Sequence, residues 1–271
     1  MKLAVSNIAW PPSLQQDILP LLQRHGVKGI EGAPTKLWPG WESVSVESAE
    51  LIRKQFTEKG FKIPALQAIL FAKPECKLFG NDQQRVELEE HLAACAGIAR
   101  SLGARFLVFG APKNRERNGH TPDAAFEMAR EFFVRVAETY QAQGVCLCFE
   151  ANPEQYGCEF VTNSVDAARL VRAVNREGFR LHLDTACMHL AGEQIPSAIR
   201  EAADILAHFH VSEPFLGSFD SPQLDHALAA QALRDVDYQG WVSLEMRQTD
   251  SPVETVATAV CFLERTYGGS K

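Results

Sequence analysis

The chain lacks the features that direct a protein to a membrane, to nucleic acid or into secretion. No apolar run in its 271 residues reaches the roughly 18 needed for a membrane span. No basic run exceeds a few residues, and the net charge of −7 is opposite to what a phosphate backbone recruits. The opening segment, Met1-Lys2-Leu3-Ala4-Val5-Ser6, reads directly as a strand, so no signal peptide is expected. The residues that follow, Asn7-Ile8-Ala9-Trp10, hold no glycine, which argues against the phosphate-binding turn of a doubly wound dinucleotide fold. Linkers and low-complexity stretches are missing too, so residues 1–271 are expected to form one domain. The seven cysteines are odd in number and lie mostly in apolar segments. They read as buried free thiols in a reducing, cytoplasmic setting. Cys146 and Cys148 share a face of one strand, but a thiolate metal site needs more partners than that pair.

What is present is a repeat of short apolar runs and longer amphipathic stretches. Strands are expected over 2–6, 29–32, 63–69, 106–110, 145–150, 180–184, 207–211 and 241–245. Helices are expected between them. One runs from Ser13 to Gly26, one from Ser45 to about Gly60, and one from Asn81 or Asp82 to Gly103. Thr121-Pro122-Asp123 opens a fourth that ends at Gly144. The rest span 163 to about 177, 196 to about 205, 225 to about 236, and 252 to about 267. Eight strand-then-helix units of about 34 residues each predict parallel strands with crossover helices, a single-domain (β/α)8 TIM barrel.

Acidic and imidazole residues end the last four strands: Glu150, Asp184, His210 and Glu245. Their spacings of 34, 26 and 35 residues are each about one β/α unit, so a barrel brings them to one rim, where barrel active sites lie. Parity agrees. With Leu147, Phe149, Leu181, Leu183, Phe209, Val211, Val242 and Leu244 facing the helices, all four residues face inward. A lone carboxylate at a strand end is usually a helix cap or a surface charge. Three carboxylates converging would repel each other, and a divalent cation removes that problem. Three oxygens and one imidazole suit Mn2+, Mg2+ or Co2+, with Zn2+ an alternative. His182 and His208 lie one layer deeper, where they would orient the ligands.

These residues resemble the xylose isomerase-like TIM barrel superfamily of sugar phosphate isomerases and epimerases, over essentially the whole chain. The most specific matches are Phe149-Glu-Ala-Asn152, His182-Leu-Asp-Thr185, His208-Phe-His-Val-Ser-Glu213 and Gly240-Trp-Val-Ser-Leu-Glu245. In the sugar 3-epimerase branch, the residues matching Glu150, Asp184, His210 and Glu245 bind a divalent metal, often Mn2+, and the two glutamates form the proton-transfer pair. The resemblance therefore implies an isomerase or epimerase of a small keto-sugar, working through a metal-stabilised enediolate with Glu150 and Glu245 catalytic. It also implies pairing into a homodimer. Substrate recognition departs from the branch. Cys187 stands where it has a His three residues after the metal Asp, Leu216 where it has an Arg, and Tyr156 where it has a Glu. The metal site carries over and the sugar-recognition set does not. His189 either slides into the vacated role or is a surface residue.

Other polar residues follow the remaining strands. Trp10 and Trp38 either wall a sugar face or close the barrel mouth. Glu31 and Gln67 point up the barrel by parity and are substrate-pocket candidates, with His182 beside them. Lys113 and Arg115 either receive an anionic group or sit in a solvated loop. Arg247 shares parity with Glu245 and is expected to lean over the site, and Glu213 is a similar case. On the same metal site a lyase, an inosose-type or dehydroshikimate-type dehydratase, is the alternative. A non-catalytic sugar-binding barrel is the alternative of another class. A DNA-repair role as in the endonuclease IV branch would need more histidines than the rim offers, and no nucleic-acid partner is expected.

Overall fold

The computed structural model describes residues 1–269. Eight parallel strands form a nearly closed barrel with helices between them: β1 (Lys2–Ser6), β2 (Gly29–Glu31), β3 (Ala65–Leu66), β4 (Phe106–Phe109), β5 (Cys146–Glu150), β6 (Phe179–Asp184), β7 (Leu206–Ser212) and β8 (Trp241–Glu245). It is a single-domain (β/α)8 TIM barrel; residues 270 and 271 of the expected domain lie outside the described residues. The strands hydrogen-bond in the order β2-β1-β8-β7-β6-β5-β4-β3. The seam between β2 and β3 is closed by isolated bridges, Gly29 to Lys62 and Gly32 to Leu66. Four backbone bonds of 2.9–3.0 Å run across it, among them Ile30 N to Lys62 O and Gln67 N to Gly32 O.

β3 is far shorter than the expected 63–69. Pro64 has no N–H to give a ladder, and Ala68 turns into the left-handed region at φ 52°. The helices are α1 (Gln15–Arg24), α2 (Pro34–Leu37), α3 (Val46–Glu58), α4 (Asp82–Leu102), α5 (Pro122–Ala142), α6 (Ser164–Val174), α7 (Thr185–Leu190), α8 (Ile195–Glu201), α9 (His226–Asp235) and α10 (Pro252–Tyr267). Most starts follow the expected caps: Ser45 and Asn81 form capping boxes, and Thr121, Asn163 and Asp225 each accept a backbone N–H. α6 stops earlier than expected because Asn175 caps it at φ 46°, an asparagine end where glycine is commoner. The sequence reading did not contain α2 and α7, both too short for a periodicity signal.

The expected strand parity holds. The outward faces pack on the helices: Phe133 of α5 meets Phe149 and Phe179 at ring distances of 5.3 and 4.7 Å. Truncating such a residue typically costs about 3–5 kcal/mol. The inward face is polar. The rings of His182, His208 and His210 touch one another inside the barrel, at 4.2–5.3 Å between centroids. All seven cysteines are free thiols, six of them buried. No helix among the described residues is long and apolar enough to cross a membrane.

Candidate metal centre and cavity

Strand register sets the heights of the four strand-end residues. Asp184 lies level with His210, Glu150 with His182, and Ser212 with Glu245. Glu150, Asp184 and His210 each offer a ligand atom, and these atoms lie within 4.8 Å of one another. Glu245 joins them: its Oε2 is 3.4 Å from His210 Nδ1. Because β6 and β7 stand between β5 and β8, the two glutamates approach from opposite sides of the Asp184–His210 pair.

Each member is held by partners the local sequence did not reveal. His210 Nε2 meets Glu31 Oε2 at 2.8 Å, and His208 Nε2 meets the other oxygen at 3.2 Å. With Nε2 occupied, His210 turns Nδ1 toward the carboxylates, where it is buried and makes no hydrogen bond. Asp184 Oδ1 accepts the Cys187 N–H at 2.7 Å, which makes it the N-cap of α7, and Oδ2 accepts Ser212 Oγ–H at 2.6 Å. The helix-cap and cluster readings of Asp184 are therefore both true. Asn152 donates Nδ2–H to Glu150 Oε2 at 3.0 Å. Asn152 is itself fixed by Arg115, which is fully buried, donates to its Oδ1 and to the Glu150 carbonyl at 2.7 Å each, and lies over the Phe149 ring at 4.9 Å. Arg115 is thus neither in a solvated loop nor open to a substrate anion. Gly110 at the end of β4 leaves room for Glu150, since a Cβ there would collide with Oε2.

The electrostatics show strain among like charges. Burial, reinforced by the charges of Asp184 and Glu245, pushes the Glu150 carboxyl up to about 8, against the opposing pull of His210. Burial works to raise Glu31 as well, but His210 and His208 outweigh it and hold that carboxyl well below its ordinary range. Burial would lower His210, yet Glu31 and Glu245 carry it well above the usual imidazole value. Burial and its two histidine neighbours hold His182 well below it. The donor set fits a divalent cation: His210 Nδ1 faces the cavity without a hydrogen bond, and three carboxylates crowd beside it. A bound cation would displace the proton from that nitrogen and relieve the repulsion among the carboxylates.

The cluster forms the floor of a cavity of about 760 Å3 at the C-terminal mouth of the barrel. Glu150, Asp184, His210 and Glu245 line it, as do Gln67 and Lys113. The other expected substrate contacts do not. Glu31 is fully buried, with both oxygens taken by histidines. His182 is buried beneath the floor, 3.4 Å from Glu150 Oε1. Glu213 turns away to accept from His226 and the Gln223 N–H, holding the loop before α9. Trp10 is 1% exposed and Trp38 5%, so they close the mouth as core residues. Arg247 is exposed outside the cavity, because its N–H is fixed to Leu216 O and the chain leaves the strand there. His189 is exposed on α7 and does not line the cavity. Sequence reasoning passed over Asn152 and Ser212, although each lies two residues past a ligand on the same face. For Arg115 the sequence held no such signal.

The description "Xylose isomerase-like TIM barrel" fits residues 19–266 of the chain. An L-ribulose 3-epimerase of Mesorhizobium japonicum is 25% identical over 158 residues, 58% of this chain and 52% of that protein, so the match spans about half its length. A putative hydroxypyruvate isomerase of Streptomyces coelicolor is 24% identical over 249 residues, 86% of this chain and 88% of that one. A crystal structure of D-psicose 3-epimerase in the presence of D-fructose superimposes with a TM-score of 0.82 at 18% identity, covering 99% of this chain and 100% of that one. Matched along nearly its whole length in sequence and in fold, the chain belongs to the xylose isomerase-like TIM barrel family.

Proposed function

We propose that this chain is a metal-dependent isomerase or epimerase of a small polyhydroxy carbonyl compound. The observation that carries the reading is the meeting of Glu150, Asp184, His210 and Glu245 at the cavity floor, with the two glutamates on opposite sides. The names of the relatives support it. These four residues would hold one divalent ion, Mn2+ first, and that ion would supply Lewis-acid polarisation of the substrate carbonyl. Proton transfer falls to the glutamates. One removes the proton beside the carbonyl, and the other delivers a proton to the opposite face of the same carbon (epimerisation) or to the former carbonyl carbon while the adjacent hydroxyl proton passes to the former carbonyl oxygen (isomerisation). Asn152 keeps Glu150 aimed into the cavity, and Asp184 is held by Ser212 and the Cys187 N–H. Gln67 and Lys113, which line the cavity, would meet substrate hydroxyls.

The test is incorporation of solvent deuterium into a panel of ketoses, inososes and hydroxypyruvate by the Mn2+-loaded protein. The wild type exchanges at least one of them. Glu150→Gln and Glu245→Gln each slow that exchange about 10²–10⁴-fold while the circular dichroism spectrum stays native. Unchanged exchange in either variant removes that residue from the proton-transfer pair. No exchange by the wild type on any member defeats the reading.

A further inference from the structure

The cavity has two walls. After β3 and β4 it is lined by Gln67, Lys77 and Lys113 together with apolar Ile69, Leu70 and Phe71; the Gln67 amide N–H donates to Ser6, and Lys77 pairs with Glu116 at 3.0 Å. After β5, β6 and β7 it is lined by Tyr156, Cys187 and Leu216. The second wall is held by a strained turn. Phe215 and Leu216 are consecutive non-glycine residues at φ 58° and 56°, a conformation that persists only where its surroundings enforce it. The surroundings are visible. The Phe215 N–H donates to Tyr156 Oη at 2.9 Å, and their rings meet edge-on at 5.5 Å. Leu216 O accepts the Arg247 N–H at 3.0 Å. The turn leaves the Phe215 side chain 59% exposed and puts Leu216 into the cavity. Beside it the Cys187 thiol, a weak hydrogen-bonding group, has Asn152 Nδ2 at 3.6 Å as its side-chain partner.

We propose that Cys187 and Leu216, the latter braced by Tyr156, form an apolar specificity wall, so that the substrate of this cavity carries a methyl or otherwise unhydroxylated end against them. The inference rests on the reading of the cavity as a site for a carbonyl compound. A hydroxyl buried against an isobutyl group and a thiol loses its water and gains no partner, which weakens binding by roughly 5- to 150-fold. A methyl group there fills the same space and is favoured by burial. The strain in the 215–216 turn is then the means by which the chain puts a leucine on that face.

The experiment compares one ketose with its 1-deoxy and ω-deoxy counterparts, by calorimetric Kd and by solvent-deuterium exchange, on the Mn2+-loaded protein. The wild type should favour one deoxy compound over the parent by tenfold or more in both readouts. Leu216→Asn should cut that preference at least tenfold. Cys187→Ser, a smaller change, should cut it about threefold and guards against a misfolded Leu216 variant. Equal or tighter binding of the parent ketose, or a preference unchanged in both variants, overturns the wall. A deoxy preference in Kd with no exchange on any compound keeps the wall and defeats the isomerase reading.

Discussion

The two halves of the barrel mouth follow one β/α repeat and divide its tasks. The later half, β5 to β8, has strands of five to seven residues and supplies every candidate ligand. The earlier half holds the shortest strands, two residues in β3 and three in β2, and supplies none. It contributes supports: Glu31 behind His210, Arg115 behind Asn152, and the space beside Gly110. The difference teaches that the candidate ligands come from the half whose strands run longest, while the other half adds supports behind them to those that Asn152, Ser212 and the Cys187 N–H already give. A buried carboxylate such as Glu31 does so by fixing which imidazole nitrogen faces the cavity.

Three changes test this division, beginning with the largest expected effect. Glu31→Ala leaves His208 and His210 without their anion inside the barrel. Breaking a buried charge pair costs about 3–5 kcal/mol, and losing an orienting carboxylate typically weakens metal binding about 10–100-fold. Denaturant unfolding and Mn2+ titration check both, and a variant as stable and as tightly metal-binding as the wild type would break the comparison. Next, Gly110→Ala forces Glu150 aside. Exchange should fall about tenfold or more, with little loss of stability, since displacement of a reacting group by about 1 Å can cost 10²-fold. An alanine variant with wild-type exchange would show that Glu150 tolerates displacement.

The smallest effect is on pH dependence. In the metal-free protein the Glu150 carboxyl titrates at about 8, above its ordinary value of 4.5. Between those values the folded protein keeps a proton that the unfolded chain has lost, so this group's contribution to stability falls as pH rises through the window and is level above it. Glu150→Gln cannot titrate and should flatten that part of the slope. Melting temperatures of the two metal-free proteins from pH 5 to 9 decide it. Parallel curves would place the Glu150 carboxyl in an ordinary, solvated setting.

Much of the candidate site is legible in the sequence. Glu150, Asp184, His210 and Glu245 announce themselves because a period of two puts them on the inner face and a period of one β/α unit puts them at one rim. Asn152 and Ser212 obey the same parity two residues further on, a signal that was present and passed over. Glu31, His182, Glu213 and Arg247 do not line the cavity, and of the two readings of Trp10 the core one holds: strand parity tells inside from outside but not cavity from core, and it no longer applies where the chain leaves β8 before Arg247.

The sequence by itself determined the repeat, the strand faces and the positions of the four converging candidate ligands, since these depend on local periodicity and chain length alone. Only the tertiary structure decided what stands behind them. Glu31 reaches His208 and His210 across 177 and 179 residues, and Arg115 is drawn fully inside to pin Asn152 and the end of β5. Such pairings depend on how the barrel closes and which rotamers its packing leaves open, and no local pattern encodes either.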